Sequence, residues 1–519
     1  MNNTSEIFHI FESSDSQNFM PPLGLSGVEG DPVAVQMSAP PEFGWTRLLG
    51  NSEDDEANAL TTGSDGSIYV AGYTYGDLGG QTNSSGANAF ISRFQPDGTK
   101  AWTRLLGSSE GDGARALTTG SDGSIYVAGW TYGDLDGQTK SGFSDAFISR
   151  FQPDGTQDWT RLLGSGKRDW ARALTTGSDG SIYVAGYTGG DLDGQINSSG
   201  NFDLVYDAFI SRFQPDGTQD WTRLLGSGRI DMARALTTGS DGSIYVAGTT
   251  GGDLDGQTNS GLSDAFISRF QPDGTQDWTR LLGTSEDDEA QAMTTGSDGS
   301  IYVAGWTRGD LDGQTNSGWR DAFISRFQPD GTQDWTRLLG TSAWDSATAL
   351  TTGSDGSIYV GGWTWGDLDG QTNSGLSDAF ISRFQPDGTQ DWTRLLGTSG
   401  GDYASALTTG SDSSIYVGGS TSGDLDGQTN NGGLDAFISR LIIDGTDTPG
   451  RPEIHQVINF ESFPPQITGV LPGENQGSIT QPVPNQWFGS DQNDVIIGTA
   501  SDETLLGFQG DDLLQVSQG

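Results

Sequence analysis

The hexapeptide Trp-Thr-Arg-Leu-Leu-Gly occurs seven times in this chain, its tryptophans standing at Trp45, Trp102, Trp159, Trp221, Trp278, Trp335 and Trp392. Five of the six intervals are 57 residues, and the sixth is 62 because of a five-residue insertion around residues 201–206. A fixed period of this length marks one supersecondary unit copied along the chain, each copy needing its neighbours to cover its apolar surface. The repeat therefore constrains the fold more tightly than length or composition does.

Each period holds four strand-length apolar runs, for example residues 116–120, 124–131, 145–151 and 157–164. The turns Ser-Asp-Gly-Ser and Gln-Pro-Asp-Gly-Thr join them pairwise, and Asp-Gly is a tight-hairpin signature. Runs such as Ile125-Tyr126-Val127-Ala128-Gly129 are apolar on both faces, as a sheet packed between two others requires. These features predict an all-β, seven-bladed β-propeller of four-stranded antiparallel blades, in which ring closure leaves no apolar end. The register of the ends agrees. The array opens with a lone fourth strand at residues 44–50, and its last copy loses the Trp-Thr-Arg pattern in Ile442-Ile443-Asp444-Gly445-Thr446, so the N-terminal strand is expected to complete the seventh blade.

The succession A-L-T-T-G-S-D-G-S-I-Y-V-A-G, G-D-L-D-G-Q-T-N and D-A-F-I-S-R-F-Q-P-D-G-T resembles the bacterial seven-bladed beta-propeller (SBBP) repeat over residues 44–446. That resemblance implies the fold and no single activity, so function has to be read from surfaces.

The copies can be compared with one another. The Ser-Asp-Gly-Ser and Gln-Pro-Asp-Gly-Thr turns barely vary, whereas the fourth-to-first and second-to-third loops vary widely and should emerge on one face. Glu53, Asp54 and Glu56 in one copy become Lys167, Arg168 and Trp170 in another, Arg229, Ile230 and Met232 in a third, and Ala343, Trp344 and Ser346 in a fourth. Aromatics gather there: Tyr73, Tyr75, Trp130, Tyr132, Trp170, Tyr187, Trp306, Trp319, Trp344, Trp363, Trp365 and Tyr403. Flat rings with a polar handle suit sugars and protein hot spots, which makes this the expected ligand face. Drift in tolerant loops, shielding of blade junctions and a catalytic pocket remain open alternatives.

The repeated arginines of the third strand (Arg93, Arg150, Arg212) and fourth strand (Arg104, Arg161, Arg223) suggest structure. They are expected to staple blades by pairing with repeat-invariant Asp112, Asp169 and Asp231, an anion-binding ring being the open alternative. The Gly-Asp-Leu-Asp-Gly-Gln loops offer two carboxylates two residues apart beside a glycine turn, a pattern open to calcium or to plain turn chemistry. The pairs are Asp134 and Asp136, Asp191 and Asp193, Asp253 and Asp255, Asp310 and Asp312, Asp367 and Asp369, and Asp424 and Asp426, with Gly79 replacing the second Asp in the first copy.

Prolines accumulate over residues 448–488, which read as a linker, and residues 1–43 read as a disordered leader without the basic and apolar regions of a cleaved export signal. Glycines then mark nine-residue units at Gly489, Gly498 and Gly507. Residues 489–519 resemble the RTX, or hemolysin-type, calcium-binding nonapeptide, a short β-roll. The resemblance implies Ca2+ ligands at Asn493, Asp494, Asp502, Glu503, Asp511 and Asp512, inward apolar residues at Ile496, Leu505 and Leu514, and export without a cleaved N-terminal signal. Glu503 departs from the family's usual Asp, and the first two units lack the early second and fourth glycines.

Composition narrows the functional classes. With 25 Lys and Arg against 69 Asp and Glu, the net charge of −44 disfavours nucleic acid and anionic lipid as partners. There is no Cys, and the two histidines, His9 and His455, fall outside the repeat, so catalysis would have to rest on carboxylates. No apolar run is long enough for a membrane-spanning helix. The expectation is a secreted or cell-surface, calcium-binding, monomeric propeller without enzymatic activity that recognises an extracellular glycan or protein. Against it stand a carboxylate-dependent polysaccharide hydrolase or lyase and a passive adhesive scaffold. The acidic clusters Glu53, Asp54, Glu56 and Glu286, Asp287, Glu289 occur in two copies, which argues against a single active site.

Overall fold

The computed structural model describes residues 41–443 except Ser85 and 199–204, and beyond them only short strand segments between Gly469 and Val516. The insertion predicted around 201–206 falls largely outside the described residues. One compact unit, Pro40–Asp444, is a ring of seven antiparallel four-stranded sheets. Blades 1 to 6 occupy residues 55–106, 112–163, 169–225, 231–282, 288–339 and 345–396. Blade 7 joins residues 402–442 to the strand Glu42–Leu49, which pairs antiparallel with Asp435–Ile442. The predicted propeller and its closure by the N-terminal strand are thus present.

The apolar faces meet between blades. Ala59, Tyr69, Ala71 and Ile91 of blade 1 pack on Leu117, Val127, Phe147 and Phe151 of blade 2. The same arrangement at the seam puts Tyr416 and Ile438 of blade 7 against Leu60, Val70 and Phe90 of blade 1. Burial of each large apolar side chain is worth about 1.5–3 kcal/mol, so these interfaces dominate the stability of the ring.

Polar contacts repeat with the same periodicity. The last threonine of each innermost strand donates its hydroxyl to the backbone carbonyl of its counterpart in the preceding blade: Thr119 to Thr62, Thr176 to Thr119, Thr238 to Thr176, Thr295 to Thr238, Thr352 to Thr295, Thr409 to Thr352, and Thr62 back to Thr409, over 2.8–3.5 Å. Seven such bonds close a circle around the central channel. At the periphery, six of the seven fourth-strand Trp indoles donate to a proline carbonyl in the next blade, as Trp102 does to Pro153 at 3.2 Å. The neighbouring arginine lies over each of these six indoles and in five of them donates to the glycine carbonyl of the same turn, as Arg104 does to Gly155 at 3.1 Å. Gly155 has φ +83°, and a Cβ there would come within 3.2 Å of the Trp102 ring, so this turn needs glycine twice over.

The arginine pairing expected with Asp112, Asp169 and Asp231 is not what the structure shows. Third-strand arginines pair within their own blade with the aspartate of the Ser-Asp-Gly-Ser turn, Arg150 with Asp122 at 2.8 Å and Arg212 with Asp179 at 2.8 Å. Fourth-strand arginines use backbone carbonyls. Asp112, Asp169 and Asp231 begin innermost strands and are fully buried, accepting bonds from the serine four residues earlier, so no guanidinium is needed to anchor them.

The seam keeps the pattern by substitution. Thr46 of the N-terminal strand shares a 2.8 Å hydroxyl bond with Ser439, as Ser92 does with Thr103 inside blade 1. Where Gln-Pro is lost, the Trp392 indole nitrogen has no partner, and Arg394 donates to the carbonyl of Pro41 at 3.0 Å. Removing residues 1–50 should expose the edge Asp435–Ile442 and lower the calorimetric melting midpoint by about 10 °C or more, with concentration-dependent association on gel filtration. An unchanged midpoint would mean that closure contributes nothing.

Candidate functional site

The two variable loops emerge on one face, as expected. The second-to-third loop of one blade bridges in parallel to the fourth-to-first loop of the next at Ser144 and Arg168, Ser263 and Asp287, Arg320 and Trp344, and Ser377 and Gly401.

The aromatics predicted for this face divide by burial. Tyr75, Trp319 and Trp365 are exposed, whereas Trp130, Tyr187 and Trp306 are buried. Tyr73, Tyr132, Trp170, Trp344, Trp363 and Tyr403 are half-buried. Two clusters form. Over blades 2 and 3, Trp130 stacks on Trp170 with centroids 5.2 Å apart, Tyr132 packs edge-on against Phe143, and Tyr187 meets Trp170 and Tyr206. Over blades 5 to 7, Arg320 lies 4.6, 5.3 and 4.7 Å from the ring centroids of Trp306, Trp344 and Trp363. Trp365 stacks on Trp344, and Tyr403 packs on Trp363. Tyr73 and Tyr75 form a separate edge-to-face pair on blade 1. Much of this aromatic set therefore braces the loops, leaving its outer rings to solvent.

Comparison of the copies singled out Trp319 and missed the rest of the exposed apolar series to which it belongs. Phe143, Leu262, Trp319 and Leu376 hold the same place in the second-to-third loops of blades 2, 4, 5 and 6 and are 58–74% exposed. Phe143, Trp319 and Leu376 are fixed by backbone bonds to Lys167, Ala343 and Gly400 of the next blade. The signal was legible as Ser-Gly followed by a large apolar residue. Near Phe143, Glu110, Gly111, Tyr132, Lys140, Gly142 and Arg168 complete an open depression of about 480 Å3, with the Arg168 guanidinium 4.4 Å from the Phe143 ring centroid.

The innermost strands add a second missed feature. Every blade has a β-bulge between the two alanines of an Ala-x-Ala segment, at Asn58, Arg115, Arg172, Arg234, Gln291, Thr348 and Ser405 in ring order. Bulges re-aim a side chain. Here they leave the intervening residue half-buried on the ring of innermost strands, where Arg115 reaches back to Asn58 Oδ1 at 2.8 Å and Thr348 reaches forward to the Ala404 carbonyl at 2.5 Å. The glycine of Ile-Tyr-Val-Ala-Gly permits this, since a Cβ on Gly129 would sit 1.9 Å from the Gly113 carbonyl oxygen.

Members of both acidic clusters are engaged. Glu289 pairs with Arg234 at 3.0 Å, Asp287 with Arg308 at 2.8 Å, and Asp54 accepts from the Leu434 amide at 3.0 Å. In the Gly-Asp-Leu-Asp-Gly-Gln loops the first carboxylate accepts the backbone amide six residues on, as Asp134 from Lys140 and Asp191, Asp253, Asp310, Asp367 and Asp424 from an asparagine. The second, at Asp136, Asp193, Asp255, Asp312, Asp369 and Asp426, sits at φ of 48–50°, and the first five bond to a fourth-strand glutamine. Among the described residues no group of three His, Cys, Asp or Glu is placed to hold a metal. Asn493, Asp494, Asp502, Glu503, Asp511 and Asp512 lie outside the described residues.

With this geometry in view, the chain compares with known proteins as follows. The SBBP beta-propeller repeat matches residues 44–80, 158–193, 277–312 and 391–426, and a beta-propeller domain of unknown function, DUF5122, matches 120–160, 296–336 and 353–393. The chain thus carries SBBP beta-propeller repeats. Regulatory protein FlaEY of Caulobacter vibrioides is 27% identical over 473 residues, covering 80% of this chain and 47% of that protein. An uncharacterized WD repeat-containing protein of Acanthamoeba polyphaga mimivirus is 20% identical, covering 62% of this chain and 31% of its own length. The chain therefore spans less than half of either relative. Among solved structures, polysaccharide lyase Uly1 is 10% identical with a TM-score of 0.42, covering 79% of this chain and 94% of that one. No helix among the described residues is long and apolar enough to cross a membrane.

The buried aspartates give the ring a pH dependence. Desolvation pushes Asp55, Asp169, Asp231 and Asp288 up to about 6, outweighing the hydroxyl and amide donors around each. Each keeps its proton in the folded chain where the unfolded chain has lost it, so stability falls as pH rises from the ordinary 3.8 toward about 6. Asp122 and Asp179 go the other way: despite desolvation, bonds from serine and the charge of Arg150 or Arg212 hold them below 3.8, and their contribution is lost as pH falls through their lowered values. The melting midpoint should therefore be higher at about pH 5 than at pH 7, and a scan rising steadily from 5 to 8 would contradict this.

Proposed function

We propose that this chain is a non-catalytic recognition module, secreted or held at the cell surface, whose variable face docks an extracellular glycan or protein. The observation that carries the reading is the apolar and aromatic rim of Phe143, Leu262, Trp319, Leu376, Tyr75 and Trp365, exposed on one face of a rigid ring. Such residues cost water-exposed apolar area in a free monomer and repay it when a flat partner covers them. Of the clustered acidic residues that hydrolysis or elimination would use, Glu289 is paired with Arg234 and Asp287 with Arg308, which favours binding over turnover in that copy.

Calcium belongs to this proposal through the nonapeptide tail. The segment Val495–Gly498 pairs in parallel with Leu513–Val516, and Gln486–Phe488 with Thr504–Leu506. Both offsets are 18 residues (513 − 495 and 504 − 486), twice the glycine period, which supports reading the segment as stacked nine-residue units, although Gln486–Phe488 precedes the first of them. Occupied loops of this kind suit the calcium levels outside cells.

Two measurements test the proposal. On glycan arrays with neutral and acidic polysaccharides, Phe143→Ala and Trp365→Ala should each weaken binding by about tenfold without changing the melting midpoint, and retention of any array ligand by both variants would remove the rim from the site. Calorimetric titration with calcium should show binding in the full chain and none in a chain ending at Thr448. Binding preserved in the shortened chain would move the metal to the propeller loops.

A further inference from the structure

Apart from the third- and fourth-strand arginines, seven of the ten cations of the described residues, Arg115, Lys140, Lys167, Arg168, Arg172, Arg229 and Arg234, lie between residues 115 and 234, in a chain of net charge −44; the other three are Lys100, Arg308 and Arg320. Three of the seven, Arg115, Arg172 and Arg234, are the bulge residues of blades 2, 3 and 4, so the same backbone irregularity sets three arginines at one register on adjacent innermost strands. The four other bulge residues, Asn58, Gln291, Thr348 and Ser405, are neutral.

These arginines are poorly compensated. The Nε of each of the three is buried without a hydrogen-bond partner. Arg115 is bonded to the neutral Asn58 and lies 5.5 Å over the Tyr73 ring, and Arg234 has Glu289 at 3.0 Å. Arg172, in the middle, has no carboxylate within ion-pair distance among the described residues and rests against the faces of Trp170 and Tyr187 at 5.3 and 5.8 Å. Burial first, and then the like charges of Arg115 and Arg234, bring its pKa down to about 10. A stranded donor costs about 1–3 kcal/mol, and three stand here at one register; among the described residues the one other buried arginine Nε without a partner is that of Arg320.

We infer that the bulge arginines Arg115, Arg172 and Arg234 form an oxyanion-binding site in the channel wall, taking a carboxylate or sulfate group against the Trp170 and Tyr187 rings. Guanidinium forks bind such groups through charge-assisted bonds, and the Trp170 and Tyr187 rings packed on Arg172 hold its fork in place. This site goes beyond the loop-rim reading and stands whether or not the rim docks a partner.

The test uses the full chain at constant ionic strength, with sodium sulfate and an oligogalacturonate as probes and the methyl ester of the oligogalacturonate as the neutral control. Tryptophan fluorescence and thermal shift are the readouts. At least one anionic probe should raise the melting midpoint and perturb fluorescence, while the ester should not. Arg172→Gln and Arg115→Gln should each weaken that binding about tenfold or more, Arg172→Lys less, and Arg308→Gln, a loss of the same charge on blade 5, not at all. Arg172→Gln should also raise the midpoint of the free protein, which separates loss of binding from loss of folding. Sulfate alone binding would identify a free inorganic ion as the ligand, and tighter binding of the oligogalacturonate would identify the group as one carried on a sugar; either result supports the site. Binding of neither anion, equal binding of the ester, or wild-type affinity in both glutamine variants would overturn it.

Discussion

Each sheet in this protein is apolar on both faces, and that requirement organises everything else. A blade such as residues 112–163 buries Val127 and Phe147 on one side and Ala128 and Ile148 on the other, so it is stable only between two neighbours. A ring meets the condition for every blade at once, and a linear stack leaves two unmet. The N-terminal strand, the Thr46–Ser439 clip and the Arg394–Pro41 bond follow from it, because the last interface must be built from both ends of the chain.

How much of this was legible depends on whether a feature repeats. The blade, its hairpin turns and the closure were visible because seven copies state the same pattern and the departures fall at the seam. Burial of the variable aromatics was not. Trp130 and Trp363 hold the same place in equivalent strands, yet Trp130 is buried under the stacked Trp170 of the next blade while Trp363 is half-buried beside the edge-on Tyr403 of the next blade. That depends on the neighbour opposite, which no single repeat encodes.

The arginines and aspartates show a second limit. Arg150 and Asp112 are both invariant among the copies, and opposite charges invite pairing. In the structure Arg150 is satisfied by the nearer Asp122, and Asp112 is desolvated and held by Ser108. Local turn geometry outcompeted the longer pairing. The bulge hid for a related reason: Ala-Arg-Ala-Leu reads as ordinary strand alternation, and only the crowding of Gly129 by the Gly113 carbonyl betrays the extra residue.

The bulge also bears on how such a protein can change. Its residue stands outside the ladder and outside the interblade core, so Asn, Arg, Gln, Thr and Ser are all accommodated there on one backbone. The seven positions work like the wheels of a combination lock, each free to turn while the casing stays shut. Duplication supplies identical wheels, and single substitutions can then reset the channel's chemistry one blade at a time without a new fold.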